Sequence, residues 1–288
     1  MLFRALKKFR LPSLPSLLPP SSRAIVSNSI LSNVKKNFLF PREFHNSQTL
    51  RSSSPFYLKS EDTDYSQSMT SKLPEKIQLI AKKTAEMENS IMMISQTQGS
   101  FFALLVQVLK AKRILEVGAF TGFSAACFAE GLRILGNKDD SKVVSIEYNK
   151  EYYEIAKNNI NNAGYSDLVE LILSDGASAL KGMDNSKQFD LVFIDADKAG
   201  YKNYYDIILE RNLLSDDGII VVDNVLFFGY VHKVPKLEAE GKLDTLPVEF
   251  RDHFIALSRF NEYVKNDPRT TQVLLPVFDG LTFVRKNI

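Results

Sequence analysis

Phe189-Asp190-Leu191-Val192-Phe193-Ile194-Asp195-Ala196-Asp197-Lys198 is an apolar run that stops abruptly at two carboxylates and an ammonium group. A second run, Gly218-Ile219-Ile220-Val221-Val222, stops at Asp223-Asn224. Short runs of Val, Ile and Phe that hardly alternate with polar residues are the pattern of strands covered on both faces, as in a parallel sheet. Two strand ends then deliver three oxygen-bearing side chains, Asp195, Asp223 and Asn224, which a hard divalent cation can collect. Open parallel sheets bind their ligands at that carboxyl edge.

Outward from these two runs the chain alternates. Candidate strands fall at 113–117, 143–147, 169–173, 191–194 and 218–222, with helix-length segments near 121–135, 150–163, 176–182 and 200–214 between them. Such an order predicts parallel strands joined by right-handed crossovers, an α/β doubly wound sheet. Two helical patterns come before it, at 74–90 and 98–111; the second carries Phe101, Phe102, Leu104, Leu105, Val108 and Leu109 on a broad apolar face. After Asn224 a loop with Pro235, Gly241 and Pro247 leads to a helix near 249–266. Two closing strands, 271–276 and 281–285, flank Phe278-Asp279-Gly280, a turn short enough to make an antiparallel hairpin at one edge of a mostly parallel, seven-stranded sheet.

Leu115-Glu116-Val117-Gly118-Ala119-Phe120-Thr121-Gly122 ends a strand and opens a helix. A nicotinamide site prefers G-x-G-x-x-G with helix amides facing a pyrophosphate. Here the spacing is G-x-x-x-G and an acid, Glu116, precedes the first glycine. A carboxylate there suits a cationic ligand, such as the amino group or sulfonium of S-adenosylmethionine, and repels a pyrophosphate. Glu147 ends the second strand, where it can accept two ribose hydroxyls, and Asp175 follows the third strand, near the expected adenine. Singly, Glu116 reads equally as half of a buried pair and Asp175 as a helix N-cap; in order on successive strand ends they favour a nucleoside ligand.

The net charge of +2 conceals an asymmetry, because residues 1–60 hold ten Lys/Arg and one acid, Glu43, leaving 26 bases against 33 acids beyond. A mildly acidic body disfavours a nucleic-acid surface. The single cysteine, Cys127, excludes an intramolecular disulfide and a thiolate zinc cluster, and reads as core packing. Residues 1–11 place Leu2, Phe3, Leu6 and Phe9 against Arg4, Lys7, Lys8 and Arg10, a basic amphipathic helix stopped by Pro12; a Ser- and Pro-rich stretch poor in acids follows. This is the composition of a mitochondrial presequence, here 1–51, with Arg42 to Ser47 resembling a two-step processing site. The expected location is the mitochondrial matrix, or the cytoplasm if the segment does not act in import. Residues 52–70 read as a linker and 71–288 as the catalytic domain, and no run approaches the roughly 18 apolar residues of a membrane span.

From about Tyr65 onward the chain resembles the cation-dependent O-methyltransferase family that includes caffeoyl-coenzyme A and catechol O-methyltransferases. The resemblance is carried by Glu116 to Ser124, Asp195-Ala196-Asp197-Lys198, Asp223-Asn224-Val225-Leu226 and Leu275-Pro276-Val277-Phe278-Asp279-Gly280-Leu281. It implies a Rossmann-like methyltransferase fold, a cofactor site lined by Glu116, Gly118, Ala119, Ser124, Glu147, Asp175, Gly176 and Asp195, a metal held by Asp195, Asp223 and Asn224, and a homodimer. The expected cation is Mg²⁺, with Mn²⁺ or Ca²⁺ as alternatives. Three protein ligands leave about three positions of an octahedral ion for water and a vicinal diol. A phenol on a dication loses its proton near neutral pH, and Lys198 is the expected base.

The reaction so implied is methyl transfer from S-adenosylmethionine to a hydroxyl of a catechol-like or caffeoyl-type small molecule. Where the plant enzymes carry Trp-Asn, this chain has Phe227-Phe228; with Tyr201 these predict an aromatic wall for the acceptor ring. His232 and His253 read as ordinary polar residues. One alternative keeps the fold without the reaction, as a non-catalytic S-adenosylmethionine-binding regulatory or assembly protein; an intact Asp195, Lys198, Asp223 and Asn224 set argues against it. An oxidoreductase is disfavoured by Glu116, and a nucleic-acid methyltransferase by the absence of a basic channel.

Overall fold

The computed structural model describes residues 60–136 and 140–287. The presequence assigned to 1–51 and the first part of the linker therefore lie outside the described residues, and the rest of that linker is helical, α1 (Ser60–Met69). Then come α2 (Glu75–Ala85) and α3 (Gln96–Leu109), followed by β1 (Arg113–Val117), α4 (Phe123–Ile134), β2 (Lys142–Glu147), α5 (Lys150–Ala163), β3 (Val169–Leu173), α6 (Gly176–Gly182), β4 (Phe189–Ile194), α7 (Tyr201–Glu210) and β5 (Leu214–Val222). The chain closes with α8 (Val234–Ala239), α9 (Arg251–Lys265), β6 (Thr270–Leu275) and β7 (Leu281–Lys286).

The seven strands form one sheet in the order β3-β2-β1-β4-β5-β7-β6, with β1 to β5 parallel, β7 antiparallel to β5, and β6 antiparallel to β7. This is the expected doubly wound sheet with its hairpin. Alternate residues of each strand face opposite layers. Ile114, Val143, Leu191, Phe193 and Val221 pack against α2, α3, α4 and α5, whereas Leu115, Val117, Val144, Ile146, Val192 and Ile194 pack against α6, α7 and α9. Cys127 is wholly buried among the first set, where burial pushes its thiol well above the usual range, so it is a packing residue.

Three segments differ from the sequence reading. Helix α7 stops at Glu210 rather than 214, because Asn212 turns through a left-handed conformation (φ 54°) and Leu214 already pairs with Phe189. The pairing register jumps from Phe189↔Leu214 to Leu191↔Ile219, so Ser215-Asp216-Asp217-Gly218, which has the composition of a turn, bulges out of a longer strand. The expected loop after Asn224 contains short 3₁₀ turns at Phe227–Gly229, Val231–Lys233 and Leu243–Thr245 and the helix α8, with Pro235 in its first turn. Ser90–Leu109 is long and apolar enough to cross a bilayer by length and composition alone. Its helix instead buries Phe102, Ala103 and Val106 in the core and carries Gln98 into the site.

Candidate active site at the carboxyl edge of the sheet

Strand order reverses between β1 and β4, which leave the sheet side by side toward β2 and β5. The backbones touch there: Asp195 N–H donates to Val117 O at 3.0 Å. Gly118 adopts φ +109°, and a Cβ built on it falls 2.1 Å from the carbonyl oxygen of Asp195, so only glycine allows this approach. Gly118 and Ala119 both donate their N–H groups to Ile146 O at 3.0 Å, which ties the turn to β2. Gly176 is tightly packed as well, since a Cβ built on it falls 2.8 Å from the Tyr204 ring and 2.9 Å from Val117.

Glu116 is fully buried within the sheet. Its Oε2 accepts a short hydrogen bond from Ser145 Oγ, while Oε1 is buried without a partner. Burial dominates this contact and raises its pKa to about 7. Glu147 accepts Phe120 N–H and Asn149 N–H, both at 2.8 Å, one on each oxygen, and burial raises its pKa too. Each of its oxygens keeps a second lone pair. Asp175 is the N-cap of α6, accepting Ser178 N–H at 2.9 Å, a bond that lowers its pKa. The capping role of Asp175, left open by sequence, is therefore present.

Lys198 is the centre of the opposite half. Its Nζ donates to Asp195 Oδ1 at 2.8 Å, to Asn224 Oδ1 at 2.7 Å and to the Tyr201 hydroxyl at 2.6 Å, and the residue is nearly buried. Asp223 lies beside them, its Oδ1 accepting Asn224 N–H and its Oδ2 accepting Gln98 Nε2–H, each at 2.7 Å. Burial, and then the Asp195 charge, raise Asp223 to about 7. Among the described residues no group of three or more His, Cys, Asp or Glu side chains is placed to hold a metal ion. The expected donor set has two carboxylates and one amide, and two of the three already converge on a cation, the Lys198 ammonium. Hard oxygen donors around a point occupied by positive charge fit Mg²⁺ or Mn²⁺.

Tyr201 departs from its expected place in the acceptor wall. It is completely buried beneath Lys198, donating to Asp223 O at 3.2 Å, because the 3₁₀ turn Lys198–Gly200 runs directly into α7 and turns the ring inward. The wall consists of Phe227 and Phe228, with Phe250, Phe254 and Tyr230 behind them; the Phe227 ring lies 5.8 Å from Lys198 Nζ. His253 is half-buried, edge-on to Phe227 at 5.9 Å, and its Nδ1 has no partner. It belongs to this wall rather than to open surface; burial, and then Lys198, lower its pKa.

Two polar residues that sequence reasoning left without a role also reach the site. Gln98 is 3% exposed and bound to Asp223; the available signal was a polar residue three places after Ser95, whose Oγ caps α3 by accepting Gln98 N–H. Asp279, at the tip of the β6–β7 hairpin, accepts Phe228 N–H at 2.8 Å, and burial raises its pKa to about 6.

A model of the O-methyltransferase family matches residues 67–287. The chain belongs to the O-methyltransferase family. Among its relatives is the Dictyostelium discoideum protein named "Probable caffeoyl-CoA O-methyltransferase 3", 37% identical over 204 residues, which are 69% of this chain and 78% of that one. Of solved structures, the SAH-bound methyltransferase of Podospora anserina shares 30% identity with a TM-score of 0.71, covering 82% of this chain and 99% of that one. An O-methyltransferase of Bacillus cereus in complex with SAH shares 26% with a TM-score of 0.65, covering 78% and 96%. This O-methyltransferase thus carries, at the switch point of its sheet, Glu116 and Glu147 on one side and the Asp195-Lys198-Asn224 cluster on the other.

Proposed function

We propose that this O-methyltransferase moves a methyl group from S-adenosylmethionine to a hydroxyl of a catechol-like aromatic acceptor, with Asp195, Asp223 and Asn224 holding a divalent cation. The observation that carries the reading is the Lys198 ammonium, held at 2.8 and 2.7 Å by Asp195 and Asn224 at the edge of an aromatic wall. S-adenosylmethionine supplies a cationic methyl donor, which suits the buried Glu116 carboxyl, and Glu147 retains acceptor capacity for ribose hydroxyls. A bound dication supplies Lewis acidity that lowers the pKa of an acceptor hydroxyl. Lys198 Nζ, within reach of the same donors, receives the acceptor proton when it is unprotonated. Phe227 and Phe228 hold the ring by apolar contact and keep water from it. With the acceptor and the donor each fixed, positioning supplies much of the acceleration.

A homodimer fits the exposed apolar face of α3 and the edge strand β6. Phe101 touches Phe278 and Phe283, Val273 pairs with Phe283 on the same side of the sheet, and Leu104 and Val108 continue that face into solvent. Residues 1–51 are proposed to direct import into the mitochondrial matrix; a fusion of that segment to a fluorescent protein that stays in the cytosol would refute this.

The test of the main reading is a labelled methyl-transfer assay on catechols and caffeoyl-coenzyme A, with chelator and with Mg²⁺ restored. Asp195→Ala is expected to abolish transfer while S-adenosylhomocysteine still binds by calorimetry. Undiminished turnover in the variant, or in chelator, would sink the metal assignment.

A further inference from the structure

Helix α3 opens on Ser95-Gln96-Thr97-Gln98, the S-x-x-Q pattern of a capping box, in which the Gln side chain ordinarily reaches back to the N-cap N–H. Ser95 plays its half, its Oγ accepting Gln98 N–H at 3.1 Å. The side chain of Gln98 leads away from the cap. It crosses to the carboxyl edge of the sheet and donates Nε2–H to Asp223 Oδ2 at 2.7 Å, 125 residues away in sequence. Both residues are buried, Gln98 to 3% exposure and Asp223 to 1%.

This reach depends on how closely α3 lies on α4. A Cβ built on Gly99 falls 2.8 Å from Cys127 Sγ and 3.1 Å from the Phe123 ring, and a Cβ built on Gly131 falls 2.7 Å from Ala103 O, so one glycine on each helix permits the approach. Phe102, Ala103 and Val106 then hold α3 in the core.

The three donors proposed for the cation are not oriented by the same groups. Asp195 and Asn224 each face the Lys198 ammonium. Asp223 is held by two N–H groups, one on each oxygen: Asn224 N–H on Oδ1 and Gln98 Nε2–H on Oδ2. The first comes from the next residue along the chain and anchors one oxygen. The second comes from across the fold and stops the carboxylate from turning about its own axis. Each oxygen keeps a further lone pair. A reversed Gln98 amide would set oxygen against oxygen, so its polarity is fixed too.

We infer that Gln98 is a positioning residue for the proposed cation site, delivered by α3 to hold the Asp223 carboxylate in a single orientation before a cation arrives. The inference rests on the proposed role of Asp223 as an oxygen donor to a divalent cation.

The experiment uses the full chain and Mn²⁺ as the probe, with affinity read by electron paramagnetic resonance, S-adenosylhomocysteine affinity by calorimetry, and folding by thermal melting. Q98M keeps the length of the side chain and removes the N–H donor. It is expected to weaken Mn²⁺ binding about 10- to 100-fold, the range found when groups orienting a metal ligand are lost, with S-adenosylhomocysteine affinity unchanged. V106A is the comparison: it opens a cavity on the same helix without touching Asp223, so it should lower the melting temperature and leave Mn²⁺ affinity as it is. The zero-field splitting of the Mn²⁺ still bound, which follows the arrangement of its oxygen ligands, should change in Q98M and not in V106A. Should Q98M fail to fold, Q98N is read in its place with the same expectation, because its amide is one methylene short of Asp223. Unaltered Mn²⁺ affinity in Q98M overturns the inference, as does an equal loss in V106A, or a loss of S-adenosylhomocysteine and Mn²⁺ binding together in both Gln98 variants. Failure of the unmutated protein to bind millimolar Mn²⁺ would instead overturn the metal reading itself, and this inference with it.

Discussion

Replacing Glu116 by glutamine removes a carboxyl whose ionisation the folded protein resists. Its pKa rises from 4.5 to about 7 on folding, chiefly through burial, with Ser124 and Ser145 opposing the shift. Between these values the folded state binds more proton than the unfolded chain, so stability falls as pH rises. The contribution is present in full below pH 4.5 and lost above about pH 7. At about 1.4 kcal/mol per unit, the whole window is worth about 3 kcal/mol, and the part between pH 5.5 and 7.5 about 2 kcal/mol. Asp223, Asp279 and Glu147 are also raised and slope the same way, so the total dependence is not diagnostic. The difference between proteins is. Denaturant titrations at pH 5.5 and 7.5 should show the unmutated protein losing about 2 kcal/mol more than E116Q across that interval. Because a cationic cofactor favours the ionised carboxyl, saturating S-adenosylmethionine should shrink this difference. Equal pH slopes for the two proteins without ligand would refute the assignment of a buried Glu116 with a raised pKa.

Two further outcomes test other parts of the site and surface. Lys198→Met should reduce methyl transfer about 100-fold or more, as loss of a general base does, yet tighten Mn²⁺ binding, because the ammonium competes for Asp195 and Asn224; weaker Mn²⁺ binding would contradict the shared position. Val108→Glu places a charge on a residue 69% exposed, so the fold should tolerate it, and sedimentation velocity should show the proposed homodimer reduced to monomer mass; an unchanged mass would remove α3 from the proposed interface.

Much of the site was legible because parallel strands place their carboxyl ends along one edge. Each apolar run therefore announces, by the residue at which it stops, a side chain at that edge: Glu147, Asp195 and Asp223 follow from this alone. Gly118 was legible for a related reason, since a glycine directly after a strand marks a turn that something approaches closely. Tyr201 was misplaced because a ring beside Lys198 can face the pocket or the core, and the direction in which the start of α7 turns it is not written in the local sequence. Gln98 and Asp279 had no legible role because they lie 125 residues before and 51 residues after their partners, Asp223 and Phe228, and neither stands at the end of a parallel strand.

By itself the sequence determined the element order, the parallel half of the sheet and the acidic residues along its edge, because period, strand length and crossover handedness are local or nearly universal constraints. The tertiary structure alone decided that β7 rather than β6 pairs with β5, burying Leu281 and Val284 and leaving Val273 and Leu275 outside. That choice depends on which strand of the hairpin has more apolar surface to lose to the neighbouring layers, and it places Asp279 against the Phe228 N–H. It also decided that Lys198, Asp195 and Asn224 share one point, and that Glu116 is buried rather than presented at the edge. Both depend on how closely β1, β4 and β5 approach one another, and close approach is a property of packed neighbours, not of any one segment.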